Sequence, residues 1–193
     1  LTIADMNGNS ELDVVVANSA SSTITTLHGL GDGTFAPTQI PTEGGARGLY
    51  SNDLNGDGRL DLVIATTDLP SYDSPGLLVA MGDGSGNLDP PSEVPISFGG
   101  TSVTPTSVEG ADIDGDGFLD LIVGGANYRS TDPARNVAIL PGNGDGTFGS
   151  NYNVNMASDA WDAIPIDVDR DGLMDLVAVN QFAPGGGSYT PYV

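Results

Sequence analysis

Carboxylates recur at one fixed spacing in this chain. Asp112, Asp114, Asp116 and Asp120 stand at positions 1, 3, 5 and 9 of the stretch 112–120. Asp167, Asp169, Asp171 and Asp175 repeat that spacing. Asp53, Asn55, Asp57 and Asp61 repeat it with one amide, and Asp5, Asn7, Asn9 and Asp13 with two. Four like charges in so short a loop repel one another unless a cation lies among them. Oxygen donors at alternate positions are the set that a hard ion such as Ca2+ takes. The chemistry on offer is therefore cation binding. An EF-hand does not fit, because Ile64 and Val123 occupy position 12, where its bidentate Glu belongs, and strand-forming runs flank the loops.

Such loops need rigid neighbours. Each leads into a short apolar run: Val14–Ala17, Leu62–Ala65, Leu121–Gly124 and Leu176–Val179. Runs of this kind predict strands buried on both faces. A third strand is expected at Thr23–Leu27, Leu77–Met81 and Asn136–Leu140. Glycine turns follow at Gly31–Phe35, Gly82–Leu88 and Gly144–Phe148, with the Phe or Leu opening the next strand. Fourth strands are expected near 39–41, 93–96 and 152–154, and nothing has a helical period.

The four loops begin 48, 59 and 55 residues apart, which marks an internal repeat. Four antiparallel strands in about 50 residues match one propeller blade. The expected fold is all-β: one domain over 1–193, with blades at roughly 1–42, 43–97, 98–156 and 157–193. The fourth blade lacks its glycine turn and outer strand. Its open edge would be a docking place for another strand, which makes self-association through it one expected mode of partnership beside a protein or glycan partner. The ring is completed by other chains, continues in a longer one, or stays open.

Composition narrows the function. The 193 residues include no Lys and only five Arg, against 26 acids, for a net charge of −21. That excludes nucleic acid and anionic membrane surfaces as partners. Thirteen of the acids sit at the four loop spacings, so the charge is largely a metal-site signature. Four Ca2+ ions would bring −21 to −13. Cysteine is absent, which removes disulfides, thiolate zinc sites and thiol nucleophiles. No signal peptide is visible and no apolar run approaches a membrane span, so no membrane insertion is expected. Catalysis is not expected. There is a single histidine, His28, and Ser85 lacks the Gly-x-Ser-x-Gly frame.

The four acidic loops, the Asp-Leu-Val-type strands and the Gly-Asp-Gly-Thr-Phe turns resemble the FG-GAP/VCBS repeat. That repeat builds integrin α-subunit propellers and many bacterial surface and secreted proteins. The resemblance covers nearly the whole chain. It implies a propeller with Ca2+ in the loop joining the first two strands of a blade. It also implies side-chain ligands at positions 1, 3, 5 and 9, with main-chain carbonyls at position 7: Glu11, Arg59, Phe118 and Leu173. Up to four ions follow, expected to be structural. The Asp5–Asp13 site is expected to be weakest, with two carboxylates and with Ser10 where the others have Gly58, Gly117 and Gly172.

The implied function is a non-catalytic extracellular or cell-surface module for adhesion or assembly, with a protein or glycan partner. The end opposite the acidic loops is expected to carry the long segments 66–76, 124–136 and 180–188. It would also hold Tyr72, Tyr128, Arg129, Arg135, Trp161 and Phe182. Aromatic and Arg side chains on loops suit such a partner. The alternatives are a carbohydrate-binding lectin and the propeller domain of a larger secreted enzyme.

Overall fold

Glycine turns cut this sequence into short β-branched runs, and those runs become strands. The computed structural model describes residues 1–42, 44–67, 75–98, 103–126, 136–156 and 160–180. Among these residues there are fourteen strands and no helix.

The first sheet is β1 (Thr2–Ala4), β2 (Asp13–Asn18), β3 (Thr23–Gly29) and β4 (Phe35–Pro41). The second is β5 (Ala46–Asn52), β6 (Asp61–Thr66), β7 (Gly76–Ala80) and β8 (Ser92–Pro95). The third holds β9 (Thr104–Ala111), β10 (Asp120–Ala126), β11 (Asn136–Leu140) and β12 (Tyr152–Asn155). In each, every strand pairs antiparallel with the next in sequence. A hairpin of β13 (Ala160–Ile166) and β14 (Asp175–Asn180) follows. It joins the third sheet through one bridge, Gly125 to Ala160. The architecture is all-β and built of propeller blades.

The blades stack face to face, and each stack is an apolar core. Strand alternation sends successive residues to opposite faces. Val15 and Ile24 of the first blade therefore meet Leu62, Ile64 and Leu78 of the second. On the other face of the second blade, Val63, Ala65, Leu77 and Val79 meet Leu121, Val123, Ala138 and Leu140 of the third. Ile122, Val137 and Ile139 in turn meet Ala160, Ala163, Leu176 and Ala178 of the hairpin.

Two expectations need correction. The second strands β6 and β10 are buried along their whole length on both faces. Strands β2 and β14 are not. Val14 and Val16 are half-buried, and Val177 and Val179 are exposed, because among the described residues only one face of each strand packs against a neighbouring blade. Phe35 does open β4, but Leu88 and Phe148 make isolated bridges to Gly82 and Gly142 before regular pairing resumes at Ser92 and Tyr152. In the second blade Pro90 and Pro91 intervene there, and neither has an N–H for a ladder.

Ile122 is fully buried between the third blade and the hairpin. Ile122→Ala should cost about 2–5 kcal/mol in urea unfolding, the range for emptying a core site. Val168→Ala, at a side chain 61% exposed, should stay within about 0.5 kcal/mol.

Candidate metal centres

Each acidic loop joins the first two strands of its blade, and each is held by one repeated set of hydrogen bonds. The position-1 carboxylate accepts from two or more backbone N–H groups further along the loop. In the second loop, Asp53 Oδ1 accepts from Gly56 at 2.8 Å and Asp57 at 3.1 Å, and Oδ2 from Gly58 at 2.8 Å. The side chain at position 3 accepts from the N–H at position 5: Asn55 from Asp57 at 2.9 Å, Asp114 from Asp116 at 3.1 Å. The side chain at position 5 accepts from position 7: Asp57 from Arg59 at 2.9 Å, Asp116 from Phe118 at 2.8 Å. The first and fourth loops repeat the scheme at Asp5, Asn7 and Asn9 and at Asp167, Asp169 and Asp171.

These bonds curl the loop so that its side-chain oxygens converge. One carboxylate oxygen each from Asp112, Asp114 and Asp116 lie within 4.8 Å of one another, and so do those of Asp167, Asp169 and Asp175. The set is acidic, all-oxygen and close, which is the donor chemistry of a hard divalent cation. The position-7 residues Glu11, Arg59, Phe118 and Leu173 stand two residues before the second strand of their blade begins.

The curl needs a left-handed residue at position 6. Gly58, Gly117 and Gly172 supply it with φ of 81°, 90° and 89°. Ser10 adopts the same conformation at φ 70°, so the first loop keeps the shape of the others despite its different sequence. Arg170, at position 4 of the fourth loop, is left-handed too, at φ 65°.

The closing carboxylate has a further job that its spacing alone does not reveal. Asp61 is fully buried. Its Oδ2 accepts from Leu54 N–H at 2.9 Å, which pins the loop's start. Its Oδ1 accepts from Gly82 N–H at 2.9 Å, which pins the glycine turn after β7. Asp13 does the same for Met6 and Gly29, and Asp120 for Ile113 and Gly142. The glycine is obligatory, since a Cβ on Gly82 would overlap the carbonyl oxygen of Leu60. Burial pushes the Asp61 carboxyl up, the two N–H bonds oppose this, and the nearby Asp57 and Asp53 charges push it further. Asp175 accepts from Val168 N–H at 2.9 Å and is exposed.

The glycine turns reach across to the preceding blade's loop. Gly146 N–H donates to Leu54 O at 3.2 Å, and a Cβ on Gly146 would collide with Met81, with Asn55 behind it. A Cβ on Gly86 would meet His28 and Asn7 of the first blade. His28 Nδ1 itself lies 3.5 Å from Asp13 Oδ2 and 3.4 Å from the Asn7 amide nitrogen, so the histidine belongs to the first loop's surroundings. Within the turns, hydrogen bonds from the Asn87 amide and from the Ser85 N–H and hydroxyl hold the Asp83 carboxyl well below the usual carboxylate range. Bonds from Thr34 and Thr147 lower Asp32 and Asp145.

Of the residues named for a partner, Tyr72, Tyr128, Arg129, Arg135 and Phe182 lie outside the described residues, as does most of 66–76, 124–136 and 180–188. Trp161 lies in strand β13, not in a loop. It is half-buried, and its carbonyl accepts from the Thr106 hydroxyl at 2.8 Å across the join between blades.

The profile of the FG-GAP-like repeat matches residues 5–64 and 53–123, more than half of the chain. The chain belongs to the FG-GAP-like repeat family. This FG-GAP-like chain is also similar to phosphatidylinositol-glycan-specific phospholipase D of Rattus norvegicus, at 30% identity over 160 residues, 72% of this chain and 19% of that protein. The Mus musculus protein of the same name is 31% identical over 159 residues, 72% of this chain and 18% of that one. The chain thus spans less than a fifth of the length of these curated relatives. Among solved structures, an Agrocybe aegerita lectin, described for its recognition of non-reducing terminal N-acetylglucosamine, superposes with a TM-score of 0.58 at 23% identity. The superposition covers 92% of this chain and 46% of the lectin chain. That likeness is one of fold.

Two outcomes test this geometry. Ser10→Gly removes a Cβ from a left-handed residue, whose cost is about 1–2 kcal/mol, and should raise the melting temperature while leaving the loop's donors intact. In an acid titration followed by carboxyl NMR, Asp83 should protonate at lower pH than Asp32 or Asp145. The sign follows from its lowered folded value: the turn's stabilisation is full above the unfolded Asp range and is lost only as pH falls through the folded one.

Proposed function

We propose that this chain is a non-catalytic, extracellular propeller module whose acidic loops bind Ca2+ as a structural ion, and which serves adhesion or extracellular assembly. The observations that carry the proposal are one hydrogen-bond scheme repeated in four loops and the approach, within 4.8 Å, of carboxylate oxygens of Asp112, Asp114 and Asp116 in the third loop and of Asp167, Asp169 and Asp175 in the fourth. The ligands are the residues at positions 1, 3, 5 and 9 with the carbonyls of Glu11, Arg59, Phe118 and Leu173. Up to four ions bind, tightest at Asp112–Asp120 and Asp167–Asp175 and weakest at Asp5–Asp13, because ligand charge sets affinity.

A bound ion stabilises by removing the repulsion within each loop. At free calcium about 100 times Kd, one site contributes about 2.7 kcal/mol. Exposed loops of this charge call for the millimolar calcium found outside cells. The similarity to phospholipases D named for a glycan-linked lipid agrees with that placement. No helix among the described residues is long and apolar enough to cross a membrane.

Two observations favour second readings. The fold likeness to a lectin favours a glycan ligand. A cleft of about 460 Å3 between the outer edges of the first two blades, with Ile40, Leu78, Leu88 and Pro91 in its walls and Asp89 and Glu93 at hand, offers apolar faces and acceptors for one. The phospholipase D similarity favours a propeller domain within a larger secreted enzyme. A glycan array separates the first of these from the main proposal.

Calcium titration calorimetry and thermal melts test the structural ion. Chelation should lower the melting temperature by many degrees. Asp114→Asn and Asp169→Asn should each weaken binding at their own loop, and Asn55→Asp should strengthen it at the second. No heat of binding and an unchanged melt in chelator would refute the calcium reading.

A further inference from the structure

We propose that Asn7 is a self-modifying residue. In the folded chain its side-chain amide is lost as ammonia through attack by the backbone nitrogen of Gly8, and the first acidic loop gains a carboxylate. The modification rests on the chain's own atoms and not on a bound ion.

Three Asn-Gly pairs occur in the sequence, at 7–8, 55–56 and 143–144. A glycine after asparagine has no Cβ to hinder the approach of its nitrogen to the side-chain carbon. All three glycines are left-handed, with φ of 72°, 77° and 74°. The pairs differ in what surrounds the reacting atoms.

The attack needs a nitrogen that can lose its proton, a carbonyl oxygen that can take up negative charge, and an amide nitrogen that can leave. At Asn7 all three are provided. Asn9 N–H donates to Asn7 Oδ1 at 3.0 Å. That bond closes a turn that folds the side chain back over Gly8. It also aims a donor at the oxygen on which charge builds up in the tetrahedral intermediate. The nitrogen that must leave stands 3.4 Å from His28 Nδ1. Gly8 is exposed, and among the described residues its N–H has no hydrogen-bond acceptor.

Each of the other pairs lacks a part. Asp57 N–H donates to Asn55 Oδ1 at 2.9 Å, but Gly56 N–H is held by Asp53 Oδ1 at 2.8 Å. That charge-assisted bond must break before the nitrogen can attack, and the carboxylate beside it opposes loss of its proton. At Asn143 the amide nitrogen donates to the Thr147 hydroxyl at 2.9 Å, and no N–H among the described residues donates to Asn143 Oδ1. The element that leans on the first loop is the glycine turn of the second blade. Gly84 O lies 3.6 Å from the place of a Gly8 Cβ, and a Cβ on Gly86 would lie 3.2 Å from Asn7 Cβ.

In the reaction Gly8 N bonds to Asn7 Cγ and the Cγ–Nδ2 bond breaks. The Gly8 nitrogen gives up its proton, the departing nitrogen gains one, and ammonia leaves. Water then opens the cyclic imide at either carbonyl. The product is an α-linked or β-linked aspartate, one negative charge richer, and nothing is oxidised or reduced. The α-linked product gives the first loop a carboxylate at position 3, where the third and fourth loops have Asp114 and Asp169. The β-linked product adds a carbon to the main chain and moves the rest of the loop out of register.

Peptide mapping by mass spectrometry, after incubation of the whole chain in heavy-oxygen water at neutral pH, tests this. In the folded chain Asn7 should convert about tenfold or more faster than Asn55, since only Asn55 must first release a bond to a carboxylate. Asn143 should also lag behind Asn7. In urea, where these surroundings are gone, the three should convert at similar rates. Equal rates in the folded chain, or an Asn7 that stays intact there while it converts in urea, would overturn the proposal. Gly8→Ala should protect Asn7 and leave Asn55 and Asn143 as they were. Loss of the Asn7 amide at an undiminished rate in that variant, or with no β-linked product, would mean direct hydrolysis by water and would sink the idea. Asn7→Asp carries the charge of the α-linked product and should bind calcium more tightly at the first loop than the unmodified chain. That last expectation alone rests on the calcium reading: if it fails while Asn7 still converts, the calcium reading is at fault and the modification stands.

Discussion

A buried carboxylate with two backbone partners is the constraint on which each complete blade depends. Asp13, Asp61 and Asp120 are almost wholly removed from solvent, and a carboxylate in that position is costly unless its oxygens are satisfied. Here one oxygen takes an N–H from the acidic loop and the other takes an N–H from the glycine that starts the next turn. The loop, the second strand and the third strand are thereby tied at a single atom group. The side chain immediately following enters the apolar join with the neighbouring blade, so the same tie sets the depth at which Leu62 or Leu121 packs. In the fourth loop Asp175 makes the first of these bonds, to Val168 N–H, and is exposed, as are Val177 and Val179 on the strand that follows.

The second constraint is the strand period. Because alternate residues face opposite neighbours, a blade must carry two apolar patterns interleaved in one short run. Asp61–Thr66 and Asp120–Ala126 do so and are buried throughout. Steric limits are tight on both sides. A Cβ at Gly48 would press on the Ser107 backbone, and one at Gly124 would collide with the Ser107 hydroxyl and the Ala160 carbonyl. The small residues in these strands therefore set the spacing between blades as much as the large ones fill it.

Most of the fold was legible in the sequence because it is written in two short-range codes: acids at alternate positions, and β-branched runs between Asp-Gly turns. Neither depends on remote contacts. The departures have remote causes. The runs at Val14 and Leu176 read as strands covered on both sides, and composition cannot say whether a neighbour is present. Trp161 read as a loop aromatic, yet pairing with β14 places it within a strand. Leu88 read as a strand opener, but the prolines after it deny the ladder its donors. In the site, the donors at positions 1, 3 and 5 follow from spacing, whereas the bond from Asp61 to Gly82 joins residues 21 apart and needed the folded chain. The left-handed Arg170 had no signal except its alignment with Gly8, Gly56 and Gly115, which are left-handed in the other three loops.

The glycine turns that lean on the preceding loop give the repeat array a direction. Gly146 reaches back to Leu54 and Asn55, and Gly86 reaches back to Asn7 and His28. Whatever stiffens one loop therefore also fixes the turn of the blade that follows it, and loosening that turn is felt one blade upstream. The array behaves as a row of nearest-neighbour couplings rather than as independent cups, in the manner of other stacked repeats. A disturbance at one loop should then reach the blades on either side and fade with distance along the row.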